Sequence, residues 1–508
     1  MGKHIEVSRN YQENVEFLKE ELGVGISVDM IAREFKIGNK KAALFFVSGL
    51  VKDSIVIEVM KMLMWQARQD ILPDPVQQLR DHAIPHVQVS SVKKIDEAIM
   101  AINSGQQVLI VDGVDEAIII DARMYPDRQP EEPDIERVVR GSRDGFNETI
   151  LTNLGLIRRR VRDPKLRTEL IRVGKRGKCD ICLCYIKDIA NPDLVDFIRN
   201  RIEEIKIDAL PMAEKSVEEL ITPGSYWNPF PKVRYSERPD VVAAHLLEGH
   251  VAVVVDTSPS VIIVPTTFFH HVQHAEEYRQ NPAVGVYLRW IRFAAIVASV
   301  ILVPLWLLFS LQPGLLPPGW EFIGPKKVGN IPLVGQILIG ELAIDLVRMA
   351  AIHTPTPLAT SLAIIGALLM GEIATQVGLF APEVILYMAI VAVGTFATPS
   401  YELAMANRLV RLFLLAAVAL FKLPGFIVAL IITFLFLALS QSFGIPYLWP
   451  LIPFNWAALK HILVRAPVPV QNVRPSILKT LDVMRQPAPA RKPGPPQKDE
   501  AQEEKQDK

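Results

Sequence analysis

Disulfide cross-links do not hold this chain together, because among 508 residues only Cys179, Cys182 and Cys184 are cysteines. Three are too few for a disulfide framework and agree with a reducing compartment. Net charge is missing as well. Lys and Arg number 55 against 55 Asp and Glu, so no global field points to nucleic acid as a partner. The first 30 residues contain no apolar run flanked as in a secretory signal, which predicts that the charged first half stays in the cytosol. The most telling absence is local. From Phe293 to Trp320 there are 28 residues without a charge, and from Phe293 to Leu459 only twelve Asp, Glu, Lys or Arg, six of each sign. A hydrocarbon core about 30 Å thick needs roughly 20 apolar helical residues, and FAAIVASVILVPLWLLFSL, Phe293–Leu311, supplies them. The chain therefore reads as a large soluble head followed by a membrane part.

Within the head one supersecondary unit occurs twice. KAALFFVSGLVKDSIVIEVMKML, from Lys41, reads as a buried strand, a turn at Ser48-Gly49 and a helix that Asp53 is placed to cap. CDICLCYIKDIANPDLVDFIRNRI, from Cys179, repeats the order, with Asn191-Pro192-Asp193 opening the helix. Each unit is followed by a hairpin-like pair, VLIVDGVDEAIIIDA from Val108 and VAVVVDTSPSVIIVP from Val251. The predicted fold class is an α/β cytosolic head of two similar subdomains followed by an α-helical transmembrane domain. Between the units, Phe146, Ile150, Leu154, Ile157 and Val161 recur at helical spacing, and Arg158, Arg159, Arg160 and Arg162 crowd the helix end. That arginine run suits a solvated helix terminus, or contact with a neighbouring subunit or lipid headgroups.

In the membrane part, the spanning candidates are Phe293–Leu311, Pro355–Gly371, Val384–Tyr401 and Gly425–Phe443. Val334–Ile352 and Leu409–Phe421 are open to spanning, re-entrant or interfacial placement. Arg289 and Arg292 precede the first span, and Lys460, Arg465 and Arg474 follow the last. The positive-inside rule thus puts both ends in the cytosol. Glu341, Asp345 and Arg348, spaced four and three apart, fall on one helix face. Such a face belongs at the interface, with Asp345 paired to Arg348, or against water in a pore or vestibule. Glu372 stands alone within IIGALLMGEIATQVG, whose small residues permit close helix approach. Repeated around a ring, it would form a negative collar for cations.

Enzyme chemistry finds little support. GKRGK at Gly174–Lys178 has Arg172 where a phosphate loop needs its first Gly and Cys179 where it needs Ser or Thr. Cys182 and Cys184 share a strand face without a second pair for zinc, and His270, His271 and His274 lack a supporting carboxylate or Cys set. No catalytic, cofactor or metal site is expected.

The runs PEEPDIERVVRGSRDGFNETILTNLGLIRRRVRDPKL, SERPDVVAAHLLEGHVAVVVDTSPSVIIVP, IIGALLMGE and FGIPYLWPLIPF, in that order, resemble the A-subunit family of bacterial spore germination receptors, from about Val28 to Pro453. LGVGISVDMIAREF, GLFAPEVILY and TPSYELAMAN resemble its stage V sporulation branch more than its nutrient-receptor subunits. The resemblance implies a multi-pass protein of the spore inner membrane with a cytosolic two-part head. It further implies assembly into a homo-oligomeric, ion-conducting germination complex, with the lipid bilayer, other germination membrane subunits and monovalent cations as partners. A secondary transporter component and a tethered scaffold without its own pore are the alternatives. The expected organisation is 1–125, N-terminal α/β subdomain; 126–177, connecting helical segment; 178–285, second α/β subdomain; 286–459, helical membrane domain; 460–486, cytosolic segment; and 487–508, disordered tail, rich in Pro and charge.

Overall fold

A computed structural model describes residues 6–66, 75–79, 84, 88–124, 136, 138–326, 329–353 and 374–487. The expected span 355–371, Glu372 and the tail from 488 onward lie outside the described residues.

Helix α1 (Tyr11–Leu22) starts at Asn10, whose side chain accepts from the Gln12 N–H, and turns Val15, Leu18 and Leu22 inward. After it come β1 (Met30–Ile37), β2 (Lys40–Val47), α2 (Asp53–Trp65), β3 (Val89–Val92), α3 (Ile95–Asn103), β4 (Gln107–Val111) and β5 (Ala117–Ile120). The five strands pair antiparallel in the order β1-β2-β4-β5-β3. A second set follows: α4 (Ile150–Arg160), β6 (Leu166–Val173), β7 (Cys179–Ile186), α5 (Pro192–Glu203), α6 (Ala213–Ile221), β8 (Arg234–Ser236), α7 (Pro239–Glu248), β9 (Val251–Val255) and β10 (Val261–Val264). Its strand order is β6-β7-β9-β10-β8. Counted within each subdomain, both sheets run 1-2-4-5-3, so the segments from Lys41 and Cys179 hold the same second position. The duplicated α/β head is confirmed.

The central strands QVLIV and VAVVV are buried on both faces, as continuous apolar runs require. On the first sheet, α1 and α3 cover Phe45, Val108 and Ile110, while α2 covers Leu44, Leu109 and Val111. On the second, α4 and α7 pack over Cys182, Cys184 and Val254, and α5 and α6 over Ile181, Leu183 and Val253. Asn191 caps α5 with Pro192 in its first turn, as its sequence indicates. Asp53 is instead the first helical residue of α2, where its charge favours the helix N-terminus without a capping hydrogen bond.

Within the expected connecting segment 126–177, residues 150–173 belong to the second subdomain. β6 pairs with β7 over its full length, and α4 rests on the second sheet through Ile150, Leu154 and Ile157. β1 and β6 escape a sequence reading because MIAREFKI and LRTELIRV place charges among apolar residues on half-exposed strands.

The subdomains meet at Asp29. Its carboxylate takes two hydrogen bonds from Arg158, at 2.5 and 2.9 Å, and one from the Thr168 hydroxyl. Both charged side chains are essentially inaccessible. Burial alone would raise the Asp29 pKa, but the Arg158 charge and the Arg158 and Thr168 hydrogen bonds outweigh it and hold the pKa below the usual value. The Val28 N–H to Thr168 carbonyl bond, at 2.9 Å, and the Lys165–Glu21 pair, at 2.7 Å, extend the seam.

Beyond the head lie α8 (Pro282–Leu311), α9 (Leu333–His353), α10 (Pro382–Phe396), α11 (Tyr401–Leu439) and α12 (Trp456–Leu463). Helices α8 and α11 are long and apolar enough to cross a bilayer. Helix α10 has 15 residues, about 22 Å at 1.5 Å per residue, and ends short of the expected Tyr401. Helix α11 is two helical arms reversed at Lys422 (φ 54°, ψ −134°) and Pro424. Its end at Ser440 takes a hydrogen bond from Asn228 of the head, while the Leu423 N–H at the bend reaches Gln312 beyond the far end of α8. A Cβ at Gly425 would lie 2.2 Å from the Ala417 carbonyl oxygen, so the reversal needs glycine.

Replacing Asp29 by Asn should leave Arg158 buried without a counter-charge and destabilise the head by about 3–5 kcal/mol. Arg162→Gln, exposed just beyond the same helix, should stay within about 0.5 kcal/mol. Denaturant unfolding of the full chain in detergent, followed by far-UV circular dichroism, measures both.

Candidate functional site in the apolar helices

Helix α9 carries LVGQILIGELAIDLVRMAAIH, and its charged face turns toward α11 rather than water. Glu341 is 2% exposed. Arg411 grips it with Nε to Oε1 at 2.6 Å and Nη2 to Oε2 at 2.8 Å, the bidentate geometry that strengthens an Arg–carboxylate pair. The remaining Arg411 amine donates to the Ser299 carbonyl of α8, and Arg408 donates to the Glu341 carbonyl at 2.7 Å. Asp345 forms its ion pair with Arg408. The expected Asp345–Arg348 pair is therefore replaced by one between helices, because α11 offers arginines at i and i+3 facing both acids. Arg348 instead donates to the Met405 sulfur at 3.3 Å, and its guanidinium lies 5.3 Å from the Phe396 ring centre. Close packing makes these reaches possible. A Cβ at Gly394 of α10 would stand 2.5 Å from the Ala295 carbonyl oxygen of α8.

A second buried charge group ties head to helix. Glu277, fully inaccessible, pairs with Arg289 at 2.6 Å and with Arg292. Arg289 also donates to the Ile462 carbonyl of α12 at 2.6 Å, and Arg465 donates to the carbonyls of Tyr278 and Gln280. The arginines counted for orientation are thus built into the joint. Beside it, His270 does not gather with His271 and His274 alone. Its ring lies 5.8 and 5.2 Å from those of His245 and His250. Burial and neighbouring positive charge keep these imidazoles neutral, with His250 lowered to about 4. Among the described residues no group of His, Cys, Asp and Glu side chains has metal-holding geometry. A cavity of about 290 Å³ opens there, between Glu136, Arg234 and His274 of the head and Ser400 and Glu402 at the start of α11.

Residues 16–477 match the Bacillus/Clostridium GerA spore germination protein family. The chain belongs to this family. It is 50% identical to stage V sporulation protein AF of Bacillus subtilis over 95% of this chain and 98% of that protein. It is 33% identical to spore germination protein GerLA of Bacillus cereus, over 95% and 98%. The solved N-terminal domain of the A subunit of the Bacillus megaterium spore germinant receptor GerK3 is 28% identical, covering 53% of this chain and 99% of that one, with a TM-score of 0.42. The family assignment and the likeness to the stage V branch therefore hold, and this GerA-family chain is a membrane component of the spore germination apparatus.

Arg158, Arg159 and Arg160 part company in the GerA-family head. Arg158 is sequestered with Asp29, so it is not a subunit or headgroup contact; Arg160 binds Asp144 and Ser142, and Arg159 is exposed. A run of four arginines conceals which one turns inward, since that depends on an acid 129 positions away. Arg408 and Arg411 are a different case. Two arginines three apart within an apolar run, opposite a Glu and an Asp four apart, are a usable signal.

Glu341→Gln should leave Arg411 and Arg408 short of a counter-charge and destabilise the bundle by roughly 3–5 kcal/mol. Arg348→Gln, which breaks no ion pair among the described residues, should cost far less. Thermal midpoints in detergent by size-exclusion chromatography check the order; equal midpoints for the two variants contradict it.

Proposed function

We propose that this GerA-family chain is a multi-pass subunit of the spore inner membrane, with head and C-terminus in the cytosol. Copies of it assemble into a ring that conducts monovalent cations during germination, beside other germination membrane subunits. The observation that best supports this reading is the bundle of apolar helices joined by a buried Glu341–Arg411–Arg408–Asp345 network. Charge placed within apolar helices is costly and characteristic of ion pathways. In this reading neighbouring copies together supply the wall around the water path. Because Glu341 and Asp345 are occupied by arginines, the conducting carboxylate in this reading is Glu372, repeated around the ring.

The same pairing favours the second reading, a scaffold without its own pore. Two acids neutralised inside one chain need serve only packing. The secondary transporter differs in its flux, which would be coupled stoichiometrically instead of running down the gradient.

Reconstitution in liposomes separates these. The full chain should form particles larger than a monomer and pass cations down their gradient. Glu372→Gln should lower conductance or selectivity without unfolding the head, and Glu372→Lys should block or invert cation preference. A strictly monomeric particle, or both variants conducting at unchanged rate and selectivity, contradicts the ring or the role of Glu372 respectively.

A further inference from the structure

The head carries two aromatic rings that its own fold does not cover. Between α6 and β8 runs TPGSYWNPFP, residues 222–231, ten residues without a charge. Trp227 is 93% exposed and Tyr226 is 83% exposed. A soluble surface rarely leaves two large aromatics this bare side by side. The segment is not loose: the Trp227 N–H binds the Ser225 hydroxyl at 3.2 Å, and the Phe230 N–H binds the Asn228 side chain at 3.0 Å.

Its position supplies the reason. Asn228 donates to Ser440 at the end of α11, and the Phe230 ring lies 6.1 Å from that of Phe436, one turn earlier. Phe230 also belongs to one apolar cluster with Ile296, at the start of the uncharged span of α8, and Leu403, at the start of α11. The loop thus reaches the level where the apolar helices begin. The surface beside it continues outward through Leu435 and Leu439, 51% and 79% exposed. Trp290, half exposed, sits 6.4 Å from Phe293 at the first residue of that span. Trp and Tyr at such a level are the side chains favoured where headgroups meet acyl chains, since each joins an apolar ring to a polar N–H or O–H.

We infer that residues 222–231 are a lipid-contacting loop of the head, with Tyr226 and Trp227 seated in the headgroup layer of the bilayer that α8 and α11 cross. The inference rests on the membrane reading of those helices and adds that the second subdomain itself is fastened to lipid. The bilayer is favoured over a second copy of the chain because the loop is uncharged and continuous with the apolar helix surface.

The test uses the full chain in lipid nanodiscs. A spin label is placed at Trp227→Cys in a Cys179→Ser background, Cys182 and Cys184 being buried; Tyr226→Cys serves as a second site if the first fails to fold. Labels at Arg176→Cys, on an exposed head turn, and Leu435→Cys mark water and the acyl region. Collision with oxygen relative to a water-soluble nickel chelate should be several-fold higher at 227 than at 176, and lower than at 435. A ratio at 227 equal to that at 176 overturns the inference. Protection from both reagents together with dipolar broadening between labels also overturns it and assigns the loop to a second copy. If Leu435→Cys behaves like Arg176→Cys, the membrane reading fails, and the inference fails with it.

Discussion

A carboxylate taken out of water without a partner costs several kcal/mol, and an arginine removed with it restores that loss only when geometry and hydrogen bonds are good. This chain places such a pair at each junction between its parts. Asp29 and Arg158 close the seam between the two subdomains, Glu277 with Arg289 and Arg292 joins the head to the first long helix, and Glu341 with Arg408 and Arg411 joins that helix bundle internally. At two of the three, spare donors are spent on backbone carbonyls across the joint, Arg411 on Ser299 and Arg289 on Ile462. Apolar packing supplies bulk attraction without direction. The ion pairs select one orientation, because a small slide leaves a buried charge alone.

This arrangement links head and membrane helices mechanically. Arg289 stands on α8, holds Glu277 of the head and touches the C-terminal helix α12. Movement of the head against the helices must either carry all three together or break a fully buried pair. The reversal at Lys422 brings both arms of α11 back to the head, so Ser400, Glu402 and Ser440 lie against the second subdomain. Among the described residues, the second subdomain is the part of the head that carries these contacts with the helices.

Much of this was legible in the chain. Continuous apolar runs such as VAVVV, the Asn191-Pro192 helix start and the charge-free stretch after Arg292 each reflect a local rule, and each appears where that rule puts it. Features set by partners distant in sequence were not legible. β6 looks polar until β7 covers it, and Arg158 looks solvated until Asp29 arrives from 129 positions away. The Glu341 face is legible in the spacing, but the Arg408 and Arg411 partners on another helix are not. Helical spacing reveals who shares a face, not which helix that face meets.

The central claim is that the buried carboxylate–arginine pairs hold the parts in register by mutual compensation. A double-mutant cycle on Glu341 and Arg411 tests it most directly, using Glu341→Gln, Arg411→Gln and the double variant in the full chain, with unfolding free energies measured in detergent. Mutual compensation predicts that the double variant is less destabilised than the sum of the singles, by a coupling of about 2–3 kcal/mol. Additivity within about 0.5 kcal/mol would contradict the account.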